Sequence, residues 1–288
     1  MKVLVTGGSG QLGSALVQEA PADVALIVPD RAMLDLAKPE TIRAVVATMK
    51  PDWIINTAAY THVDRAESER DMAFRVNAEA VRALAEAARD TGARMLQVST
   101  DFVFDGTHSV PYAPGAIPSP LNVYGQTKLA GEHAVLSTLG TRALVVRTAW
   151  LYASHGRNFV RTVLDIARKH GQLRVVSDQV GAPTWATGLA QAIWRMVALD
   201  LSGIHHWTDA GVASWYDVAV AVLEESSVMG LVDHGILVTP ISSDAFPSQA
   251  KRPSYSVLDK TATWSALSLV SPHWRHNLRN MLRELKNA

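Results

Sequence analysis

Tyr124 and Lys128 stand four residues apart in the run Val123-Tyr124-Gly125-Gln126-Thr127-Lys128-Leu129-Ala130-Gly131-Glu132. On a helix that spacing puts both side chains on one face. An ammonium beside a phenol stabilises the phenolate, so it would lower the tyrosine pKa from its usual ~10. Such a tyrosine can exchange a proton with a carbonyl or alcohol oxygen near neutral pH. The same spacing also describes an exposed helix pair with no chemistry. Three other segments bear on that choice. Thr6-Gly7-Gly8-Ser9-Gly10-Gln11-Leu12-Gly13 follows an apolar run and opens a helical pattern. Asn56-Thr57-Ala58-Ala59 follows a third apolar run, and Ser99-Thr100-Asp101 a fourth. In an open parallel sheet, ligands bind beyond the carboxyl ends of the strands. All these segments would end at that edge.

The glycines fit two spacings, Gly8-x-Gly10-x-x-Gly13 and Gly7-x-x-Gly10-x-x-Gly13. Either lets backbone N–H groups approach a pyrophosphate, with the following helix N-terminus adding its dipole and unpaired donors. A tight turn without a ligand is the alternative reading. Asp30-Arg31, just after the second apolar run, lies where an adenosine ribose would sit. The aspartate can accept from a 2′-hydroxyl, which favours NAD. The arginine can pair with a 2′-phosphate, which favours NADP. Surface charge explains each of the two equally well.

Short apolar runs alternate with helical patterns over the first half. Strands are expected at Val3–Thr6, Val24–Val28, Trp53–Thr57, Met95–Ser99 and Ala143–Arg147. Helices are expected at Gln11–Glu19, Pro39–Met49 and Asp71–Asp90, the last ended by Gly92. Nearly unbroken apolar strands belong in a parallel sheet covered on both faces. The fold class is therefore α/β, a doubly wound parallel Rossmann sheet with a smaller α/β C-terminal substrate domain. Residues 1–150 would bind the dinucleotide and 151–288 mainly the substrate, with 187–207 returning to the first part. In the second half, helices are expected at Asn158–His170, Thr187–Leu199, Trp215–Glu225 and Trp274–Lys286, and a late strand at Gly203–Trp207. Pro111–Pro120 holds four prolines and reads as an extended loop.

Composition narrows the partners. The chain has 288 residues, with 27 basic and 27 acidic side chains, so no basic excess marks a nucleic-acid binder. Cysteine is absent, which excludes disulfides, thiolate metal sites and a cysteine nucleophile, and fits a reducing cytoplasm. No apolar run approaches the ~20 residues of a membrane helix. The N-terminus has no signal-peptide layout. His205-His206 could suggest a metal, but neighbours in a strand face opposite sides and no third ligand stands at ligand spacing. Trp185, Trp194, Trp207 and Trp215 could line a sugar pocket, although buried packing suits most of them.

Here the motifs become specific. The chain resembles the extended short-chain dehydrogenase/reductase superfamily, and within it the dTDP-4-dehydrorhamnose reductase family. The matching pieces are Gly7–Gly13, Leu34-Asp35-Leu36, Pro51–Asn56, Ala58–Glu67, Ser99–Gly106, Pro120–Gly125, Arg147–Tyr152, Asn158-Phe159, Asp178–Thr184 and Arg252-Pro253. They span nearly the whole chain, and the later ones are more diagnostic than the glycine turn.

The resemblance implies reduction of the C4 ketone of a dTDP-linked 6-deoxy-hexose by NADPH, with NADH possible, giving dTDP-L-rhamnose. By matching position, Tyr124 would give the proton to the C4 oxygen. Lys128 would hold the nicotinamide ribose, and Thr100 would hydrogen-bond the substrate carbonyl. Gly10, Gln11 and Leu12 would lie on the pyrophosphate. Asp35 and Leu36 would contact the adenine side, and Ala59, Tyr60 and Thr61 the middle of the cofactor. Val98 would line the nicotinamide pocket. Asp101 and Trp150 would touch the sugar-nucleotide, and Arg252 its diphosphate. Related dehydratases carry Thr-Asp-Glu after the fourth strand; Phe102 stands at the third position here and cannot act as that base. An epimerase, or another deoxy-sugar reductase, shares the tyrosine and lysine. A non-catalytic relative, the regulatory subunit of methionine adenosyltransferase, keeps a binding-module reading open; Tyr124, Lys128 and Thr100 argue against it. Some members pair through a metal held by acidic residues, one of them in the first turn after the glycine motif. Ser14-Ala15 stands there, so no required metal is expected, and a monomer or weakly associated dimer is.

Overall fold

The computed structural model describes residues 1–287. Six strands form its central sheet: β1 (Lys2–Thr6), β2 (Ala25–Ile27), β3 (Trp53–Asn56), β4 (Arg94–Thr100), β5 (Ala143–Thr148) and β6 (Gly203–His206). Their spatial order is β6-β5-β4-β3-β1-β2, and every neighbouring pair is parallel. Among the described residues the eight longest helices are α1 (Gln11–Gln18), α2 (Pro39–Met49), α3 (Ala80–Thr91), α4 (Val123–Leu139), α5 (Phe159–His170), α6 (Ala186–Ala198), α7 (Trp215–Val228) and α8 (Trp274–Asn287).

Alternation along the strands sorts the side chains to two faces. Val3, Val5 and Ile55 meet α1 and α6 through Leu12, Leu16, Leu189 and Ile193. Leu4, Ile54 and Met95 meet α2, α3 and α4 through Ile42, Leu84 and Val135. Both faces are covered, which is why β3 and β5 are buried along their whole length. The strands β2 and β3 flank β1 on opposite sides. The strand order therefore reverses at β1, and the turns after β1 and β3 border the crevice that such a reversal creates.

A second apolar core joins α5, α7 and α8 through Val163, Leu164, Val222, Leu278 and Met281. A parallel pair, Gln172–Val176 with Leu237–Ile241, packs beside it. Residues 186–206 do not belong to this core. Helix α6 lies on α1, and β6 extends the central sheet beside β5.

The helix expected over Asp71–Asp90 is interrupted. It runs as Arg70–Phe74, a π-helical turn at Arg75–Glu79, then α3, which Gly92 ends at φ 78°. The wider turn carries the buried Asn77, whose side chain accepts from Tyr60 N at 2.8 Å and donates to Tyr60 O at 3.0 Å. Recovering those bonds offsets the poorer helix geometry. Leu237–Ile241 carries no strand signal because Pro240 sits inside it and removes a donor. No helix among the described residues is long and apolar enough to cross a membrane.

Candidate active site

The turn after β1 is built by glycine. Gly7 has φ +71°, and its carbonyl accepts from Gly10 N at 2.9 Å. A Cβ on Gly13 would stand 2.1 Å from Gly7 O, so only glycine lets α1 press onto the turn. Gly10 caps α1 with no side-chain hydrogen bond, which leaves the first-turn donors to the crevice. Gln11 and Leu12 open that helix. A glycine turn that tight, ahead of a helix end with uncapped donors, fits a pyrophosphate.

The strand ends beside this turn are tied together. Thr6 Oγ1 hydrogen-bonds Asn56 Oδ1, and Asn56 Nδ2 donates to Gln97 Oε1 at 2.7 Å. Gln97 Nε2 donates to Val98 O at 2.8 Å, and Lys128 Nζ donates to the same carbonyl at 2.6 Å. A continuous polar chain thus runs from β1 through β3 and β4 to α4.

Helix α4 begins at Asn122, whose side chain accepts from Gly125 N at 2.8 Å, while Glu67 accepts from Val123 N at 2.9 Å. These two caps fix the first turn, and with it Tyr124. The phenol lies edge-on to Phe102, with ring centroids 5.9 Å apart. Thr100 ends β4, and its Oγ1 donates to Asp101 Oδ1 at 3.0 Å. Asp101 is fully buried, and desolvation pushes its carboxyl up to about 6. Burial likewise pushes Tyr124 up to about 12; the Thr100 hydroxyl opposes the shift and the Asp101 charge adds to it. Burial lowers Lys128 to about 8, against the pull of Glu132.

This corrects one expectation. The i, i+4 spacing predicts a phenol pKa lowered by Lys128, and the phenol is raised instead. Desolvation outweighs the other influences, and the ammonium is committed to Val98 O. Tyr124 therefore holds its proton at neutral pH, which suits a proton donor.

Beneath these residues lies an ion pair that the sequence reading did not single out. Arg147 Nε donates to Glu132 Oε1 at 2.9 Å and Nη2 to Oε2 at 2.7 Å, with both side chains almost wholly buried. Ser99 donates to the same carboxylate, next to Thr100. Asn77 was also missed; besides the Tyr60 loop it reaches Thr127 Oγ1 at 3.0 Å. The Lys128 spacing pointed to neither.

The remaining candidates fall in three places. At the outer end of the crevice, Asp30 accepts from Met33 N at 2.9 Å, and Arg31 reaches Asp35 at 3.3 Å with 80% of its side chain exposed. Ala37 N donates to Asp35 and holds that carboxyl below its ordinary value. Leu36 is buried against the α2 and α3 layer. In the middle, Ala59 and Tyr60 are half-buried and Thr61 is exposed, with the Tyr60 hydroxyl donating to Glu69 at 2.6 Å. On the far side, Trp150 follows β5. Arg252 forks onto Asp64, with Nη2 to Oδ2 at 2.8 Å and Nη1 to Oδ1 at 3.1 Å. That guanidinium holds the Asp64 carboxyl down at about 2. The pair joins the short helix Val63–Ser68, which follows β3, to the segment before Pro253. Asn158, from the Asn158-Phe159 motif, caps α5 and donates to Gln11 Oε1 at 2.8 Å, which ties the glycine turn to the second core.

His205 and His206 face different partners, Ser202 O and Arg147. No group of three His, Cys, Asp or Glu side chains stands at metal-binding distance among the described residues.

The profile of the family described as RmlD substrate binding domain matches residues 1–287. A dTDP-4-dehydrorhamnose reductase of Burkholderia thailandensis is 39% identical over 297 residues, covering 99% of this chain and 99% of its own. A dTDP-4-keto-6-deoxy-D-glucose reductase of Streptomyces niveus is 41% identical over 272 residues, covering 94% of this chain and 93% of its own. The crystal structure of a Bacillus anthracis dTDP-4-dehydrorhamnose reductase in complex with NADP superposes with a TM-score of 0.92 at 33% identity. That superposition covers 98% of this chain and 99% of the other. The glycine turn, the Thr100–Tyr124–Lys128 cluster and this full-length similarity agree: the chain belongs to the dTDP-4-dehydrorhamnose reductase family.

Proposed function

We propose that the protein reduces the C4 ketone of dTDP-4-dehydro-L-rhamnose to dTDP-L-rhamnose with NADPH, accepting NADH less well. One observation carries this reading: Thr100, Tyr124 and Lys128 converge at the carboxyl end of β4, where burial raises the Tyr124 phenol and so favours its protonated form. The bound dihydronicotinamide supplies the hydride. Thr100 and Tyr124 would hydrogen-bond the C4 oxygen, stabilising the charge that develops there. Tyr124 would then give that oxygen its proton. Lys128 would hold the nicotinamide ribose. Gly7, Gly10, Gln11, Leu12 and Gly13 would take the pyrophosphate. Asp30, Arg31, Asp35 and Leu36 would take the adenosine end. Ala59, Tyr60, Thr61 and Val98 would line the span between.

Asp101, Trp150 and Arg252 would hold the sugar-nucleotide, Arg252 oriented by its fork on Asp64. Residues 1–150 with 187–207 would carry the cofactor, and the rest of 151–288 the substrate. The protein would act in the cytoplasm as a monomer or weakly associated dimer. A second ketone, dTDP-4-keto-6-deoxy-D-glucose, is favoured by one observation, the 41% identity to the Streptomyces niveus reductase.

The test is loss of nicotinamide absorbance with each of the two ketones, for wild type and Tyr124→Phe. Turnover of the rhamnose precursor that collapses in the variant, with NADPH affinity kept, is the expected result. Turnover of only the glucose-configured ketone replaces the substrate. No turnover of either, with NADPH still bound, returns the chain to a binding role.

A further inference from the structure

Trp150 has φ +48°. A bulky non-glycine side chain in the left-handed region is a genuine outlier, and such residues persist only where their surroundings over-determine them. The surroundings here are specific. The Trp150 indole stacks on that of Trp215, with ring centroids 3.6 Å apart and planes 9° from parallel. Phe159 leans on Trp215 in turn, at 4.6 Å. Gly181 abuts the same indole: a Cβ there would stand 2.7 Å from Trp150 Cε2 and 2.8 Å from Cζ2.

The holders are themselves held. Trp215 is the first residue of α7, where Ser214 and Asp217 form a reciprocal capping box. Gly181 and Ala213 pair in a short antiparallel ladder, which brings the Gly181 strand alongside the start of α7. Trp150 stands two residues beyond Thr148, the strand partner of Thr100. A strained aromatic is thus fixed at the sheet edge next to the reacting cluster, by residues from the second core.

We propose that Trp215 and Gly181 are positioning residues for substrate binding, holding Trp150 in its left-handed conformation so that its indole meets the sugar-nucleotide. This rests on the reductase reading above. Trp215 acts by filling the space into which the Trp150 ring would otherwise relax. Gly181 acts by being the one residue that leaves the ring where it is. The same arrangement gives the Asp178–Thr184 motif a purpose, since Gly181 is its centre.

Steady-state kinetics on Trp215→Ala, Trp215→Phe and Gly181→Ala test this, with thermal unfolding as the folding control. Loss of one aromatic stacking partner predicts a KM for the dTDP-sugar raised roughly fivefold to tenfold in Trp215→Ala. The KM for NADPH stays at its wild-type value. Trp215→Phe restores most of the substrate KM, since a phenyl ring still fills the space. Gly181→Ala raises the same KM by displacing the indole. If Trp215→Ala does not fold, Trp215→Phe and Gly181→Ala still decide the matter by the direction of their substrate KM. A folded Trp215→Ala or Gly181→Ala enzyme with unchanged substrate KM overturns the proposal while leaving the reductase reading intact. Equal loss in both substrates' KM values without rescue by Trp215→Phe also overturns it, as a general structural effect. A wild type that turns over no dTDP-sugar overturns the reductase reading itself, and this proposal with it.

Discussion

Lys128 Nζ donates a 2.6 Å hydrogen bond to the carbonyl oxygen of Val98, the residue two before Thr100. The ammonium is buried, so water does little to keep it charged, and its pKa falls to about 8. The charged form dominates below that pH and fades above it. Tyr124, at about 12, keeps its proton throughout the accessible range. The kcat/KM profile is therefore expected to fall on its alkaline side with an apparent pKa near 8. Lys128→Arg, which cannot lose its charge in that range, is expected to be slower and to lack this limb. A profile flat to pH 10, or the same limb in the arginine variant, assigns the titration elsewhere.

The same burial has a consequence for stability. The folded-state pKa of Lys128 lies below its ordinary 10.5. Between about 8 and 10.5 the unfolded chain binds a proton that the folded chain has released, so stability rises with pH across that window. Below it, the fold carries the whole burden of a buried charge. Lys128→Met is therefore expected to unfold at a higher temperature at pH 7, gaining on the order of 1–2 kcal/mol once the lost Val98 hydrogen bond is set against the relief. It is expected to be nearly inactive, the exchange of activity for stability usual at strained sites. A lower melting temperature at pH 7 would sink this account of Lys128.

Much of the frame was legible because the strands are buried on both faces. Trp53-Ile54-Ile55 and Ala143–Val146 are short continuous apolar runs, the pattern a sheet covered on both sides calls for. Tyr124 and Lys128 were legible because helix spacing is a local property. The phenol's upward shift was not, since it depends on burial contributed by segments far apart in sequence. Asn77 was hidden for a different reason: it works only because a π turn rotates it inward, and Arg75–Glu79 reads as ordinary helix. The Asp64–Arg252 fork joins residues 188 positions apart, and nothing local marks either as the partner of the other.

Arg31 bears on cofactor choice. Asp30 spends a carboxylate oxygen on Met33 N, while the Arg31 side chain is mostly free, held only by an exposed contact with Asp35. An exposed pair of that kind is weak and readily exchanged for a phosphate. Arg31→Ala is expected to raise the KM for NADPH roughly tenfold or more, the size of one charge-assisted hydrogen bond. The KM for NADH should hardly move. Initial rates over both cofactors decide this, and an equal rise for the two would place the 2′-phosphate away from Arg31.

The Glu132–Arg147 pair makes the sharpest stability prediction. Its two hydrogen bonds, 2.9 and 2.7 Å long, lie in the interior between α4 and β5, and Ser99, Pro114 O and His206 surround the pair. Removing one member leaves the other charged and desolvated, so Glu132→Met or Arg147→Met alone is expected to destabilise by roughly 3–5 kcal/mol. Replacing both with methionine removes the two desolvation penalties together, and the double variant is expected to recover most of that loss. Its recovery should not extend to catalysis. Ser99 loses its acceptor next to Thr100, and Lys128 loses the nearby carboxylate that supports its charge. The alkaline limb of the double variant should therefore move to lower pH. A double-mutant cycle on chemical denaturation gives the coupling energy, and the pH profile gives the catalytic part. Additive single losses would show that the two charges do not depend on each other. An unmoved limb would show that Glu132 does not support the charge on Lys128.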